Sequence, residues 1–353
     1  MKLLTLHTAD AQGVVAAGSL VTSLPDCAEA MVRREINGEY TLSATFPRDG
    51  RNLGELTIGR AIRATVNEAG AEQYFIIKRR SRSLTGGMNI YAEHQSYLYN
   101  GVMIHGRTAL TNVLVATFFS TLRTGAKPSI TGISTWTDSR DASLRANFPA
   151  RPGPISVMET LKQHLVGSAG GELIFDGFNV EYVDAMGADN GAFYRYGSNL
   201  TELESEDIID SYASGIYPYW GSAGDSSRPL TILDDPVLPY SGTYPLQVII
   251  PVNLTDKFDT QPTQAQLLAA AQEYAALNAP TGIPVSIRAS RVKIGGDVSV
   301  DLGDTVTVVC TPWGLRQQTR IQALEFDALR GRVSEVEFGT VNPGFPGAVK
   351  NMK

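Results

Sequence analysis

The sequence predicts a mainly β protein with α+β insertions, in which two similar antiparallel β-barrels are accompanied by two smaller inserted domains. Segments that alternate polar and apolar residues dominate both ends of the chain, whereas helical periodicity is confined to its middle. A set of glycine and isoleucine positions also repeats at one fixed offset, which indicates an internal duplication. The 353 residues suffice for about two to three domains.

The first barrel is predicted over residues 1–98. The segment EYTLSATFP, residues 39–47, alternates apolar and polar positions and ends at Pro47, as expected of a half-buried strand. The segments AIRATVN, YFIIKRR and MNIYAEHQSYL follow as further strands, and Gly86 with Gly87 forms a predicted hairpin turn between the last two.

An α+β insert domain is predicted over residues 99–190. Apolar residues at helical spacing predict a helix from Thr108 to Thr124, and these residues include Leu110, Val113, Leu114, Phe118 and Leu122. A second helix is predicted to begin at Ser156, with Glu159 completing a capping box and Gly167 following its end. The segments GELIFDG and FNVEYVD then form a strand pair.

The remaining chain is predicted to hold the second barrel, residues 191–225 and 296–353, interrupted by a small insert domain, residues 226–295. A helix from about Pro262 to Leu277 dominates this insert, and Thr263 with Gln266 forms its capping box. Strands resume in GIPVSIRAS, VSVDLGDTVTVV, QTRIQALEFDAL and RVSEVEFGTV.

The predicted duplication relates three positions in each barrel by an offset of 244 residues. The pairs are Gly59 with Gly303, Ile77 with Ile321, and Gly87 with Gly331. A weaker match joins Phe46-Pro47 to Tyr217-Pro218, which gives the second copy 73 additional residues that contain the third helix.

Charge and composition argue against several classes of partner. The formal charge of -6 provides no overall attraction to nucleic acid or to an anionic membrane, so no specific nucleic-acid binding is expected. No apolar run is long enough to cross a membrane, and insertion by this chain is not expected. Cys27 and Cys310 match no metal or redox spacing, and both are predicted to be buried small residues.

No motif in the sequence predicts catalytic, cofactor-binding or metal-binding residues, and the protein is predicted not to be an enzyme. The patterns GxSxG, GxGxxG and GxxxxGK[ST] are absent, and His94 and His105 lack an HExxH spacing. The carboxylate pairs are predicted to be turn residues, namely Asp234 with Asp235, Asp207 with Asp210, and Asp301 with Asp304.

One dense positive run, formed by Lys78, Arg79, Arg80 and Arg82, lies at a predicted strand end. We interpret it as a solvated edge that prevents sheet-to-sheet pairing, with contact to an acidic partner subunit as the alternative.

The stretch from Gly170 to Gly221 resembles the signature region of the phage tail hub family, also known as the prophage endopeptidase tail or tail-associated lysin N-terminal family. The shared features are a GGE strand, an RYGxNL segment, a group of acidic residues and a YP strand end. In this sequence they are Gly170–Glu172, Arg195–Leu200, Glu202–Asp207 and Tyr217-Pro218. NGEYTLSATFPRDG and LGDTVTVV are also similar to the family, whereas Ser198 stands where the family often has lysine.

The resemblance implies a baseplate hub-like fold of two β-barrels and two smaller domains, and a homotrimer that closes the distal end of the tail tube of the virion. The implied partners are a distal tail protein or tail tube ring, the tape measure protein, and tail fibre or receptor-binding proteins. DNA would pass through the lumen. Because the chain ends shortly after the second β region, the resemblance implies a structural hub without a lysin domain.

Two alternatives stay open at the level of sequence. The first is a tail-associated cell-wall hydrolase that uses His94, His105 or His164 with nearby carboxylates. The second is a carbohydrate-binding tail protein whose aromatic residues stack on sugars, with Tyr194, Tyr196, Tyr219 and Trp220 as the candidates.

Overall fold

The computed structural model describes most of the chain in twelve segments. These are residues 2–16, 18–83, 87–104, 110–128, 136–140, 145–148, 154–207, 215–224, 226–238, 248–277, 285–291 and 299–339. The predicted turn residue Gly86 lies outside these ranges. No described helix is long and apolar enough to cross a membrane.

Seven strands form the first half of the protein, in close agreement with the alternation seen in the sequence. They are β1 (Leu4–His7), β2 (Leu20–Leu24), β3 (Glu29–Glu35), β4 (Tyr40–Phe46), β5 (Ala61–Thr65), β6 (Glu72–Arg82) and β7 (Met88–His94). In β4 the apolar residues Leu42, Ala44 and Phe46 are buried, as the period-2 pattern predicts. Short 3₁₀ helices follow at Leu53–Glu55 and Gln95–Gly101.

The α+β insert contains eight short strands and two helices among its described residues. The strands are β8 (Met103–Ile104), β9 (Leu110–Leu114), β10 (Ala126–Lys127), β11 (Trp136–Asp138), β12 (Arg145–Phe148), β13 (Ile155–Ser156), β14 (Glu172–Asp176) and β15 (Asn179–Val183). Helix α1 is Val115–Gly125, and helix α2 covers 157–169 with a π-helical centre at Thr160–Val166. The predicted strand pair is confirmed, because β14 and β15 are antiparallel neighbours.

The second half alternates between the large sheet and a small insert. Its strands are β16 (Asp189–Arg195), β17 (Leu200–Asp207), β18 (Gly215–Trp220), β19 (Thr231–Ile232), β20 (Ile249–Asn253), β21 (Val285–Arg291), β22 (Thr305–Cys310), β23 (Leu315–Asp327) and β24 (Arg332–Gly339). Helix α3 is Gln264–Leu277, and 3₁₀ helices lie at Thr255–Lys257 and Thr311–Trp313. The predicted capping box is confirmed, since Thr263 N–H donates to Gln266 Oε1 (2.9 Å).

Both β halves belong to one sheet, which has 13 strands within the described ranges. The order is β17-β21-β24-β23-β3-β4-β7-β6-β5-β1-β2, and β22 pairs with β23 on one side and with β16 on the other. The 13-residue strand β23 joins the halves, because residues 315–320 pair with β22 and residues 323–327 pair with β3. The predicted mainly β fold class is confirmed, with its β modules joined edge to edge.

Three separate groups of buried apolar residues hold the described part of the chain together. One is shared by both halves of the large sheet and includes Phe75 and Phe326. The second fills the α+β insert around Phe118 and Tyr182. The third lies under α3 and includes Trp220 and Leu267. The inserts therefore have their own cores, whereas the two halves of the sheet share one.

The duplication is visible in the hydrogen bonds of β5–β6 and β22–β23. Gly59 N–H donates to Ile77 O (3.0 Å), and Gly303 N–H donates to Ile321 O (2.9 Å). Both glycines have positive φ, 89° and 85°, which favours glycine at both turns. In each half a register shift follows the isoleucine, between residues 77 and 79 and between residues 321 and 323. The predicted offset of 244 residues thus holds for these two strands.

The correspondence extends across four strands in each half. Two rows of directly opposed residues show it, namely Val32, Leu42, Ala92 and Ile77 in the first half, and Ser205, Ile287, Phe338 and Ile321 in the second. The strands β3, β4, β7, β6 and β5 therefore correspond to β17, β21, β24, β23 and β22.

These rows correct two predicted matches. Ala92 corresponds to Phe338 at an offset of 246 residues, so Gly87 and Gly331 are not equivalent. Strand β4 corresponds to β21 rather than to the segment with Tyr217-Pro218, because β18 pairs with β19 and β20 in a separate sheet. We therefore propose that the second half comprises residues 189–207 and 285–339, and that the small insert comprises 215–277.

Two predicted helix limits also need correction. Leu110, Val113 and Leu114 fit a helical spacing but lie in β9, whose main chain pairs with β12. Tertiary pairing overrides the local pattern there. Helix α2 continues through Gly167 and ends at Gly170, which has φ +68°. Ser156 caps its start by accepting from Glu159 N–H (3.0 Å).

Candidate functional site

The α+β insert is fastened to the second half of the sheet by a buried ion pair. The Glu172 side chain is 6 % exposed and accepts from both Nη atoms of Arg320, at 2.8 and 3.1 Å. Arg320 also donates to the main-chain oxygens of Gly303 (3.0 Å) and Met186 (2.8 Å), while Glu172 accepts from Met186 N–H (2.6 Å). Glu172 is the last residue of the GGE segment that carries the family resemblance. It therefore has a structural role, because it binds the arginine that contacts the duplicated turn at Gly303.

A second buried network fastens the insert to the first half. Gln73 Oε1 accepts from Gly177 N–H (2.9 Å), and Gln73 Nε2 donates to Asp176 Oδ1 (2.7 Å). His94 Nε2 lies 3.1 Å from the same Gln73 oxygen, so the Nε2–H tautomer supplies the donor. His94 Nδ1 then accepts from Ser96, and the ring stacks on Tyr40 at 4.1 Å.

Burial keeps the His94 imidazole neutral. Loss of hydration, together with the smaller effect of the nearby Arg34 charge, lowers its pKa from 6.5 to about 3. A neutral, fully buried ring with both nitrogens engaged holds structure together and offers no free lone pair to a metal or a substrate.

The His94 shift predicts a pH-dependent stability. Between pH 6.5 and about 3 the unfolded chain binds a proton at His94 that the folded protein does not, so stability falls with decreasing pH. The advantage of the parent over a His94→Gln variant is expected to shrink by about 1.4 kcal/mol per pH unit below 6.5. Urea unfolding of both proteins from pH 7 to 5 measures this gap. A gap that stays constant with pH would contradict a neutral His94.

The hydrolase alternative finds little support in the described geometry. His164 is buried in the π-helical part of α2, His7 contacts Thr5 (2.9 Å) and Ser19 (3.3 Å), and His105 lies outside the described residues. No group of three metal-ligating side chains occurs among the residues that the structure describes. Asp301 and Asp304 form a turn, as predicted, in which Asp304 Oδ2 accepts from Asp301 N–H (2.8 Å).

The aromatic candidates for sugar stacking do not form one surface. Tyr194 is buried in the large sheet against Phe338, with ring centroids 5.2 Å apart. Trp220 is buried in the small insert and donates to Phe258 O (3.1 Å). Tyr196 is exposed and Tyr219 is half-buried, but they lie on different sheets. The four residues therefore do not provide one shared stacking surface for a sugar.

The basic run lies on the exposed end of β6. Arg79, Arg80 and Arg82 are exposed, and Lys78 lies 3.8 Å from Glu93. The Arg79 guanidinium is stacked over Tyr91 at 4.4 Å, while Arg80 and Arg82 donate to the main-chain oxygens of Leu56 (3.3 Å) and Leu53 (3.5 Å). Within the described ranges no carboxylate neutralises these three arginines, so this surface is open to an acidic partner.

The junction between the halves combines main-chain pairing with charge pairs. Ile36 N–H donates to Gln322 O (3.0 Å), and Ala328 N–H donates to Ala30 O (2.9 Å). Arg33 pairs with Glu337 (3.1 Å) and Glu39 (3.2 Å). The sequence does not predict this junction, because neither strand contains a local motif that identifies the strand with which it pairs.

A second polar contact supports the same junction. Arg34 pairs with Asp301, and Asn67 donates to the other oxygen of that carboxylate (3.0 Å). Asp301 thus connects β3 and the loop after β5 to the turn that precedes β22.

The two cysteines and the RYGSNL segment are structural. Cys27 and Cys310 are buried, as predicted, and form no disulfide, and burial raises the pKa of the Cys27 thiol to about 12. Asn199 is buried, accepts from Arg195 N–H (2.7 Å) and donates to Phe193 O (2.9 Å). This asparagine shapes the turn between β16 and β17.

No protein-family model matches the chain, and no curated protein sequence matches it. Prophage tail protein gp18 from Listeria monocytogenes EGD-e is similar with a TM-score of 0.63 and 16 % identity, over 97 % of this chain and 95 % of that one.

Two further solved structures cover both chains almost completely. The 43 kDa tail protein of prophage MuSo2 from Shewanella oneidensis has a TM-score of 0.63 at 12 % identity, over 96 % of this chain and 98 % of that one. The tail protein from Neisseria meningitidis MC58 has a TM-score of 0.60 at 12 % identity, over 99 % of each chain. The protein therefore has the fold of prophage tail proteins, and the resemblance inferred from its sequence is confirmed at the level of fold.

Proposed function

We propose that this protein is a structural hub at the distal end of a phage tail, where three copies form a ring that closes the tail tube. The observation that carries the proposal is the duplicated sheet, with its matching turns at Gly59 and Gly303 and its matching strand rows. Three chains with two equivalent modules each provide six similar surfaces, which suit a sixfold tube ring on one side and a threefold tip on the other.

The proposal also gives a structural role to the buried polar contacts among the described residues. Glu172, Arg320, Gln73 and His94 hold the α+β insert against both modules. A non-enzymatic hub needs such rigid connections, because its function resides in surfaces that must fit neighbouring proteins. We propose a distal tail protein or tube ring, the tape measure protein and tail fibres as those neighbours, with DNA passing through the lumen.

Electron microscopy of assembled tails tests the location and the ring. With a tag at the C-terminus, we expect label at the distal tip of each particle and, in averaged images, six β modules around a pore wide enough for duplex DNA. Label along the whole tube, or a tip in which the modules surround no pore, would contradict the hub.

A cell-wall assay tests the hydrolase alternative. We expect purified protein to release no dye from labelled cell walls, with or without added zinc. A hydrolase of known activity controls for the substrate. Turnover that is lost on His94→Gln or His105→Gln would overturn the non-enzymatic proposal.

A further inference from the structure

The two strands of the junction, β3 and β23, each have an equivalent strand in the other half of the sheet. By the strand rows, β6 corresponds to β23 and β17 corresponds to β3. Within the chain, β3 pairs with residues 323–327 of β23, just beyond the register shift at residue 322. If the junction is repeated, β17 must pair with the residues of β6 just beyond its own register shift at residue 78.

The end of β6 is open at that place. Strand β5 covers only residues 72–76, and residues 79–82 pair with β7 alone among the described strands. Residues 79–82 are exposed, whereas their counterparts Ala323, Leu324 and Phe326 are at most 1 % exposed under β3. As far as the described residues extend, the edge that receives a strand in β23 is therefore free in β6.

The outer edge of β17 is free as well. This strand ends the order of the large sheet and pairs only with β21 in the part of the chain that is described. Six strands separate β17 from β6 in that order, so the two edges of one chain do not meet in the sheet. Within the described strand order, pairing of these two edges therefore requires a second copy.

The sequences of the two free edges are opposite in charge. The end of β6 contains Lys78, Arg79, Arg80 and Arg82. Strand β17 has the sequence LTELESED, with four acidic residues, Glu202, Glu204, Glu206 and Asp207. Opposite charges on facing strands stabilise pairing and reject like-charged edges. The alternative role of the arginines, as a block against pairing, explains neither the acidic strand nor its equivalence to β3.

We propose that β17 of one copy adds as an antiparallel strand to residues 79–82 of β6 in the next copy, repeating the junction between β3 and β23. Transferring that junction sets the register, because Leu324, Glu325 and Phe326 face Arg34, Arg33 and Val32. The equivalent pairs are Arg80 with Asp207, Ser81 with Glu206, and Arg82 with Ser205. Each copy contributes β17 to the contact with one neighbour and β6 to the contact with the other. The contacts therefore run head to tail around a closed ring.

The inference rests on the proposed ring for the number of copies, but the edge pairing can be tested by itself. Ile36 N–H bonds to Gln322 and Ala328 N–H bonds to Ala30, so the pair of Glu325 with Arg33 is a non-hydrogen-bonded one. Its counterpart is Ser81 with Glu206. The Cα atoms of such pairs lie about 4.5 Å apart, a distance that a disulfide accepts.

The experiment combines Ser81→Cys and Glu206→Cys in one chain, which is then oxidised both in assembled tails and as concentrated purified protein. We expect covalent dimers and trimers on a non-reducing gel, at least about tenfold more abundant than in a Ser81→Cys, Glu204→Cys control whose register is wrong by two residues. Mixing the two single variants should give only dimers, since each chain then carries one reactive edge.

A charge exchange provides the second readout. Arg80→Glu should reduce the crosslinked fraction several-fold, and Asp207→Lys in a partner copy should restore association measured by light scattering, because the proposed register places these two residues opposite each other. If the arginines merely block pairing, Arg80→Ser with Arg82→Ser would increase association, which would overturn the proposal.

The outcomes separate the two proposals. No crosslink in tails that nevertheless show a ring of three copies would overturn the edge pairing and leave the hub intact. A crosslinked ladder that extends beyond three copies would support the edge pairing and contradict the threefold hub.

Discussion

Replacing Gly303 by alanine is expected to lower the free energy of unfolding by about 2–5 kcal/mol. Gly303 has φ +85°, and a Cβ atom there would lie 2.6 Å from the main-chain oxygen and 2.8 Å from the main-chain carbon of Met186. The main chain around Met186 is held by Glu172 and Arg320, so it cannot shift without disturbing the buried ion pair. Urea denaturation followed by circular dichroism measures the loss.

The duplication supplies a matched control for this variant. Gly59 has nearly the same φ, +89°, but a Cβ atom there would meet no heavy atom within 4 Å. Gly59→Ala should therefore lose only the backbone contribution, about 1–2 kcal/mol. Equal losses at the two glycines would contradict the close approach of the Met186 main chain to the Gly303 turn.

Breaking the ion pair between Glu172 and Arg320 is expected to cost about 3–5 kcal/mol when only the arginine is removed. An Arg320→Met variant leaves a carboxylate that is 6 % exposed without its cation. It also deprives the main-chain oxygens of Gly303 and Met186 of a donor. Unfolding in urea, monitored by tryptophan fluorescence, measures the effect because Trp136 and Trp220 report from the cores of the two inserts.

The double variant Glu172→Gln with Arg320→Met distinguishes two causes of the lost stability, namely the unpaired charge of Glu172 and the lost packing of Arg320. The glutamine still offers an oxygen to Met186 N–H, but no buried charge remains. We expect it to recover at least half of the stability lost in Arg320→Met. A double variant as unstable as the single one would mean that the packing of Arg320, rather than neutralisation of Glu172, holds the insert.

The sequence predicted well those features that are decided by nearby residues. The capping box of Thr263 with Gln266 and the cap at Ser156 depend on contacts three residues apart, and both occur. The matching turns at Gly59 and Gly303 were visible because glycine is favoured at positive φ, which marks such positions in a sequence.

Features decided by distant partners could not be predicted in the same way. Leu110 and Val113 satisfy a helical spacing, yet pairing with β12 makes them a strand. The basic run at Arg79, Arg80 and Arg82 was identified, but which edges stay open depends on the order of 13 strands. Strand order comes from long-range pairing, and no short segment carries it. The acidic residues of β17 acquire a meaning only once that order is known.

The distance along the chain between β3 and β23 has a consequence for synthesis. Glu35 pairs with Ala323, so β3 leaves the ribosome 288 residues before its partner strand. The main-chain groups on that edge of β3 stay unpaired until β23 has been synthesised. Such pairing is slow to form, and an exposed strand edge invites association between nascent chains. Four of the seven residues of β3 are charged, Glu29, Arg33, Arg34 and Glu35. Arg33 and Arg34 later form ion pairs of the junction, and we expect the four charges to protect the nascent chain from aggregation until β23 has been synthesised.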